Sequence, residues 1–140
     1  MKAAYTVLDL IGQTPIVRLN HMSDSGTAEV FVKLESFNPA GSIKDRPALF
    51  MIEEAERQGK LSQDSIILEA TSGNTGIGLA MVAAIKGYPL VIVMPENMSE
   101  ERKKVLSAYG ARLIFTPAKL GMKGAVEKAE QLAQEDKRYF

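Results

Sequence analysis

The sequence predicts an α/β protein in which a parallel sheet carries helices on both faces, with an antiparallel pair of strands preceding it. From residue 65 onward, short apolar runs alternate with longer helical segments, a spacing typical of βαβ crossovers. Such crossovers are right-handed and give a parallel sheet that is covered on both faces. Before residue 40, two runs with strand composition are separated only by a polar segment, which favours direct antiparallel pairing.

The composition is that of an ordinary globular domain. The chain has 140 residues, enough for one domain, and its 46% hydrophobic and 24% charged residues are a typical balance. Basic and acidic residues number 17 each, so no net field attracts nucleic acid or acidic lipids. The absence of cysteine excludes disulfides and thiol catalysis. Because we find no signal peptide and no run of ~18 apolar residues, we expect a cytoplasmic protein without a membrane partner.

The N-terminal part is predicted to contain a short helix and two strands. Residues 6–11 form an amphipathic turn or helix, which Gly12 ends. Residues 15–19 are predicted as the first strand, and the alternating run 29–35 as the second. Between them, residues 20–27 are polar and include Ser-Asp-Ser-Gly, which predicts a turn.

A helix is predicted to follow the loop that ends at residue 41. Ser42, with Asp45 three residues later, has the pattern of a capping box. Pro47 falls in the first turn, where its missing N–H costs little, and Gly59 is predicted to end the helix. The apolar stripe of this helix consists of Ala48, Leu49, Met51, Ile52 and Ala55.

The rest of the chain alternates strand and helix. The predicted strands are residues 66–69, 90–94 and 112–115, and the predicted helices are residues 74–86, 100–109 and about 122–135. Residues 137–140 have the composition of the approach to another strand. The parallel unit is therefore predicted to be cut off at the start of its next strand.

The stretch 69–78 is the strongest candidate for a binding site. It follows the apolar run 65–68 and precedes a helix, so it places unpaired backbone N–H groups and the positive end of a helix dipole at one turn. It matches neither the dinucleotide-binding nor the Walker A pattern, and glycines at such turns often serve only close packing. Four polar side chains nevertheless add donors there: Thr71, Ser72, Asn74 and Thr75. They predict a small anionic ligand, a carboxylate or a phosphate.

Lys44 is the candidate for covalent chemistry. It precedes a helix, where the dipole repels an ammonium, and desolvation there would make its amine a usable nucleophile or base. The chain has 11 lysines, most of which must be surface charges, so position alone favours a structural role.

Three other features are interpreted as structural or absent. His21, the single histidine, has no triad-type neighbour in sequence and is predicted to lie at the surface. The charged run 100–104 is predicted to be a solvated helix face with i,i+4 ion pairs. No set of His, Asp and Glu residues has the spacing of metal ligands, so we predict no metal.

Two longer motifs resemble a known family. The segments 38–46, Asn-Pro-Ala-Gly-Ser-Ile-Lys-Asp-Arg, and 69–76, Glu-Ala-Thr-Ser-Gly-Asn-Thr-Gly, are similar to those of cysteine synthases (O-acetylserine sulfhydrylases). These enzymes belong to the fold-type II family that depends on pyridoxal phosphate. Matching segments at 12–15, 94–102 and 121–125 extend the resemblance over essentially the whole chain.

The resemblance implies a fold and a division into domains. Residues 1–40 would form the N-terminal part of the incomplete large domain, including the antiparallel strand pair. Residues 41–140 would form the small βαβ domain.

The resemblance also implies the reaction and its residues. Lys44 would be the Schiff-base lysine and would take the Cα proton of the substrate, and Asn74 would hydrogen-bond the ring hydroxyl of pyridoxal 5'-phosphate. The substrate carboxylate would be bound by Thr71, Ser72, Gly73, Asn74 and Thr75. The reaction would be a β-replacement that makes L-cysteine from O-acetyl-L-serine and sulfide through an aminoacrylate intermediate.

Two alternatives remain open at this point. Members of the family are considerably longer, and their loop for the cofactor phosphate lies beyond residue 140. The chain could therefore belong to a sister enzyme, such as a cystathionine β-synthase or a serine or threonine dehydratase, or be a truncated, non-catalytic domain. The resemblance further implies a homodimer when the protein is full length, and no nucleic-acid partner.

Overall fold

The structure, a computed structural model, describes residues 3–21, 26 and 28–140. A short 3₁₀ helix, Val7–Leu10, is followed by strand β1, Ile16–Arg18, and strand β2, Phe31–Lys33. The two strands pair antiparallel with Val17 opposite Val32, which confirms the predicted pair. Both are shorter than predicted. The turn predicted at 20–27 lies largely outside the described residues.

Two helical segments follow β2. A second 3₁₀ helix, Glu35–Phe37, was not predicted. It leads through a loop into helix α1, Asp45–Arg57, whose buried side chains include Ala48, Ile52 and Ala55. Gly59, just beyond α1, has a φ of 65°, the left-handed conformation that glycine adopts at little cost.

A parallel sheet forms the second half of the chain. Its strands are β3, Ile67–Ala70, β4, Leu90–Pro95, and β5, Arg112–Thr116, and β4 lies in the middle. The helices that alternate with them are α2, Asn74–Lys86, α3, Glu100–Ala108, and α4, Gly121–Glu135. All six residues of β4 are buried, as expected for a central strand of a parallel sheet covered on both faces.

The helices occupy both faces of this sheet. Helix α2 packs against α1 and α3 and, with α3, on one face of the sheet, whereas α4 packs on β3, β4 and β5. Because the crossovers are right-handed, a chain that moves first one way and then the other across a sheet places its helices on opposite faces. The predicted fold class is confirmed.

The C-terminal residues pair with the free edge of β3. Tyr139 forms a parallel bridge with Ile66, and the Phe140 N–H donates to the Ile66 carbonyl oxygen at 3.0 Å. The expectation that 137–140 approaches another strand is thus met. This segment and β4 lie on opposite sides of β3.

The capping box predicted at Ser42 and Asp45 is wrong. Helix α1 begins only at Asp45. The Asp45 carboxylate accepts a hydrogen bond from the Ala40 N–H at 2.6 Å, and not from the Ser42 N–H as a capping box requires. A capping arrangement occurs instead at the first 3₁₀ helix. There Thr6 Oγ1 accepts from the Leu8 N–H and Asp9 accepts from the Thr6 N–H.

Helices α1 and α2 cross at close range at Gly78. A Cβ on this glycine would lie 3.0 Å from the Lys44 carbonyl oxygen and 3.2 Å from the Ala48 Cβ. These are closer than ordinary van der Waals contacts, so glycine is what permits the crossing. None of the helices in the described ranges is long and apolar enough to span a membrane.

Replacing Gly78 by alanine is expected to lower the free energy of unfolding by about 1–2 kcal/mol, because the added Cβ would press on the main chain at Lys44. Helix propensity alone predicts the opposite sign, a gain of about 1 kcal/mol. Urea unfolding followed by circular dichroism measures the change. Ala84→Gly, at an exposed position of the same helix, calibrates the propensity effect. A stabilised Gly78→Ala chain would contradict the close crossing.

Candidate active site

Lys44 lies at the start of α1, directly before its first residue. Gly78 of α2 approaches the Lys44 carbonyl group, so the crossing of the two helices fixes the lysine beside the first turns of α2. The Lys44 side chain is exposed. The sequence interpretation required a desolvated amine. The described residues instead leave the Lys44 amine open to solvent and to a ligand.

The loop before Lys44 is closed by hydrogen bonds. Asp45 is completely buried, and its Oδ2 accepts from the Ala40 N–H, while Ser42 Oγ accepts from the Lys44 N–H at 3.1 Å. Asp45 Oδ1 has no hydrogen-bond partner in the described part of the chain. Burial raises the pKa of the Asp45 carboxyl, an effect that the Ala40 N–H opposes. The loop geometry is thus maintained by a buried carboxyl group.

Glu35 is the centre of a polar network that supports this loop from the N-terminal side. Both of its carboxylate oxygens accept from Arg46, at 2.7 Å and 2.9 Å, in a bidentate ion pair. Thr14 and Asn38 also donate to the Glu35 carboxylate, at 2.8 Å and 2.9 Å. Hydrogen bonds lower the Glu35 pKa from its ordinary value near 4.5 to about 2. Those from Arg46 have the largest effect, and those from Asn38 and Thr14 have smaller ones.

The same network binds the backbone at Gly12. Arg46 donates to the Gly12 carbonyl oxygen at 2.9 Å, and the Gly12 N–H donates to Asn38 Oδ1 at 2.8 Å. From the sequence, Asn38 and Arg46 were identified only as members of a motif, and Glu35 was given no role. The signal that could have revealed the network is the combination of an acid, an amide and an arginine close to one loop.

The glycine-rich turn lies between the end of β3 and the start of α2. Thr71 is buried, Asn74 is exposed, and Ser72, Gly73 and Thr75 lie between these extremes. The Gly73 N–H donates to Thr71 Oγ1 at 3.2 Å. No side chain of the described residues caps the N-terminus of α2. The Gly76 N–H donates to the Gly73 carbonyl oxygen at 3.2 Å. The preceding N–H groups and the positive dipole end of α2 face no capping side chain, so an anion could bind there.

A second glycine allows the turn to fold tightly. A Cβ on Gly76 would lie 2.7 Å from the Thr71 Cγ2, a distance that side chains do not tolerate. At Gly73, by contrast, a Cβ would meet no atom within 4 Å, so the space over the turn is open. The two glycines therefore have different roles: one permits packing and the other leaves room for a ligand.

Helix α3 contacts the turn through Arg102. Its Nη1 donates to the Ser72 carbonyl oxygen, and Arg102 is half-buried. Lys103, its neighbour, donates to the Glu96 carbonyl oxygen and lies 5.2 Å from the centre of the Phe115 ring. Lys103 also forms an ion pair with Glu100, three residues earlier, at 2.7 Å. The prediction that 100–104 is a solvated face with i,i+4 pairs is therefore wrong for Arg102, whereas Lys103 forms an ion pair at the i,i+3 spacing.

Two depressions lie near α3, and only one of them adjoins the turn. The smaller, of about 220 Å³, is lined by Asn74, Ile77, Ser99, Glu101, Arg102 and Val105. The larger, of about 800 Å³, is an open region between α3 and β5. We assign the site by its donors, which are concentrated at the turn, and not by volume. Across the described ranges, no three His, Asp or Glu side chains come together as metal ligands do.

The chain belongs to the family described as pyridoxal-phosphate dependent enzyme, which matches residues 7–140. Within it, a cysteine synthase from Flavobacterium sp. is 59% identical over 128 residues, 91% of this chain and 41% of that protein. The predicted family is confirmed.

Solved structures agree over the whole chain. Cysteine synthase from Entamoeba histolytica superposes with a TM-score of 0.94 at 40% identity, over 99% of this chain and 43% of that one. A hydrogen sulfide-producing enzyme from Fusobacterium nucleatum gives a TM-score of 0.90 at 52% identity, over 100% of this chain and 45% of that one. The chain spans less than half the length of each of these relatives.

Gly76→Ala is expected to cost about 1–3 kcal/mol of stability, because the new Cβ would overlap the Thr71 Cγ2. Thr71→Ser removes that methyl group and should restore part of the loss. A double-mutant cycle by urea unfolding, with Thr71→Ser alone as the reference, measures the coupling. Additive effects of the two substitutions would contradict the contact.

Glu35→Gln is expected to flatten the dependence of stability on pH between about 4.5 and 2. The folded-state pKa of about 2 lies below the ordinary value near 4.5, so the stabilisation by Glu35 is complete above the ordinary value and is lost as the pH falls toward 2. Unfolding curves at several pH values, compared with the unmodified chain, isolate this contribution from that of Asp136, whose pKa hydrogen bonds from Arg138 also lower to about 2. Glu130→Gln on α4 is the control, and equal slopes in both variants would contradict the network.

Proposed function

We propose that this chain carries the lysine and the carboxylate-binding turn of a pyridoxal-phosphate-dependent cysteine synthase. The reaction is replacement of the acetoxy group of O-acetyl-L-serine by sulfide, which gives L-cysteine and acetate. One observation carries the proposal: the α1–α2 crossing at Gly78 holds an exposed amine at Lys44 beside an uncapped helix N-terminus. Membership of the family and the cysteine synthase relatives support it.

The residues present fit one end of the cofactor. The exposed Lys44 amine is the chemical group that forms an imine with an aldehyde, and Asn74, exposed at the start of α2, can donate to a ring hydroxyl. Open space at Gly73 leaves room beside them. The pair Gly121 and Gly124 does not form a second uncrowded glycine turn for the phosphate, since a Cβ at Gly124 would lie 2.4 Å from the Leu120 Cβ. We therefore assign to this chain the aldehyde and ring-hydroxyl contacts only.

The chain's own groups divide the work of the reaction. When bound, pyridoxal phosphate supplies an electron sink for the bond electrons released at the substrate Cα. The N-terminus of α2, with the side chains of Thr71, Ser72, Asn74 and Thr75 and the backbone at Gly73, binds and orients the carboxylate of the amino acid. Lys44 Nζ would hold the cofactor, and its amine, when free, would accept the Cα proton of the substrate.

A second direction of sulfur transfer has specific support. The Fusobacterium nucleatum relative is described as hydrogen sulfide-producing, and it is 52% identical to this chain. The same proton transfer at Lys44 would serve the release of sulfide from a thiol amino acid. Product analysis on the complete protein with O-acetyl-L-serine plus sulfide, and separately with L-cysteine alone, distinguishes the two directions.

The assignment to domains and the assembly are part of the same proposal. We place residues 1–40 in one domain and residues 41–140 in a second, and we expect the complete protein to be a cytoplasmic homodimer. Exposed apolar side chains on the strand pair, Ile16, Val17 and Phe31, support a fold with further surface to bury.

Lys44→Ala is expected to abolish covalent attachment of pyridoxal phosphate. When the purified chain is mixed with the cofactor, a Schiff-base band near the visible edge should appear and should be absent from the variant. Borohydride reduction and peptide mass spectrometry then locate the attachment. Lys60→Ala, an exposed lysine beyond the other end of α1, is the matched control. Equal labelling of the chain without Lys44 would overturn the assignment, whatever its activity.

A further inference from the structure

The contact between Arg102 and the Ser72 carbonyl oxygen joins α3 to the glycine-rich turn. Arg102 lies in the first turn of α3 and reaches across to a segment thirty residues earlier in the chain. Among the described residues, no carboxylate forms an ion pair with it. A half-buried guanidinium therefore donates to the backbone of the turn without a direct ion-pair partner in the described ranges.

The contact between Arg102 and the Ser72 carbonyl oxygen fixes the direction of the Gly73 N–H group. The Ser72–Gly73 peptide is trans, so its carbonyl oxygen and its N–H point in opposite directions. With the oxygen held toward α3, the Gly73 N–H must point away from α3, toward the side where Thr71 Oγ1 accepts it. Arg102 thereby sets the orientation of a donor in the turn.

The turn has little else to hold this peptide. Gly73 has no side chain, and a Cβ at its position would contact nothing within 4 Å. The restraint inside the turn is the 3.2 Å hydrogen bond from the Gly73 N–H to Thr71 Oγ1. A carboxylate that binds the Gly73 N–H must compete with this hydroxyl, and the loop would then depend on the outer contact at Ser72.

We propose that Arg102 is a positioning residue for carboxylate binding, which acts through the Ser72 carbonyl oxygen and does not itself touch the substrate. It orients the Ser72–Gly73 peptide, and its positive charge behind the turn favours an anion in front of it. This inference rests on the proposed function, in which the turn binds the substrate carboxylate.

The test compares Arg102→Gln with Arg102→Lys and with Lys104→Gln. The first removes the charge, the second keeps a charged donor, and the third removes an exposed charge from the same helix. Hydrogen exchange at the Gly73 and Gly76 amides, which both donate hydrogen bonds within the turn, measures the order of the turn. Titration with sodium acetate, followed by the NMR shifts of the amides of 72–76, measures carboxylate binding.

Arg102→Gln is expected to speed amide exchange in the turn about tenfold and to weaken acetate binding by a similar factor, because a charge-assisted hydrogen bond is lost. Exchange in β4 should stay unchanged, which separates a local effect from general destabilisation. Arg102→Lys should stay within about threefold of the unmodified chain in both measurements. Lys104→Gln should match the unmodified chain.

Specific results would overturn the inference. Unchanged exchange at the Gly73 and Gly76 amides in Arg102→Gln would do so, as would equal weakening of acetate binding by Lys104→Gln. If Arg102→Gln does not fold, Arg102→Lys decides alone. A loss of acetate affinity well beyond threefold in Arg102→Lys would contradict the inference, because lysine keeps a charged donor at this position. If the unmodified chain shows no acetate shifts at the turn, the proposed function itself fails, whereas the exchange result still reports on Arg102.

Discussion

The close crossing of α1 over α2 at Gly78 is the constraint on which the site depends. Lys44 and the turn at 71–75 come from separate elements, and nothing in their local sequences brings them together. A side chain at residue 78 would lie 3.0 Å from the Lys44 main chain, so the two helix starts can share one region only because this residue is glycine. Here a packing requirement determines which functional groups can meet.

Two carboxyl groups with opposite electrostatic behaviour support the loop before Lys44. Glu35 is ionised well below neutral pH, and its bidentate pair with Arg46 stabilises the fold whenever the carboxylate is charged. Asp45 has the opposite behaviour: burial raises its pKa, so its ionisation on increasing pH disfavours the folded state. A buried carboxyl with one unpartnered oxygen is retained because its other oxygen closes the loop at Ala40. Burial of the Asp45 carboxyl lowers the stability of the fold, but its hydrogen bond fixes the main chain next to Lys44.

The sequence was sufficient where local rules govern the structure. Helix α2 begins and ends where predicted, at Asn74 and Lys86, because an apolar core segment is bounded by a polar turn and by Gly87 in the left-handed conformation. The strands of the parallel sheet were predicted to within one residue, and β4, buried along its whole length, shows the continuous apolar run expected of a central parallel strand.

Long-range contacts were beyond the same rules. The spacing of Ser42 and Asp45 suits a capping box, but the carboxylate finds a better partner in the Ala40 N–H once the loop folds back. Arg102 belongs to a charged run that would be solvated in an isolated helix, and only the packing of α3 beside the turn gives it the Ser72 carbonyl as acceptor. A one-dimensional pattern identifies the available donors, whereas the tertiary fold decides which acceptor each one meets.

The topology of the sheet gives a reason, independent of any motif, for a ligand site at this turn. After β3 the chain moves through α2 to β4 on one side, whereas residues 138–140 pair with β3 on its other side. The direction of winding therefore reverses after β5, where α4 carries the chain back past β3. In open α/β sheets, ligands bind outside the carboxyl ends of the strands. The turn that follows Ala70 lies at that end of β3, so the fold places the donors of Thr71 to Thr75 where a ligand can reach them.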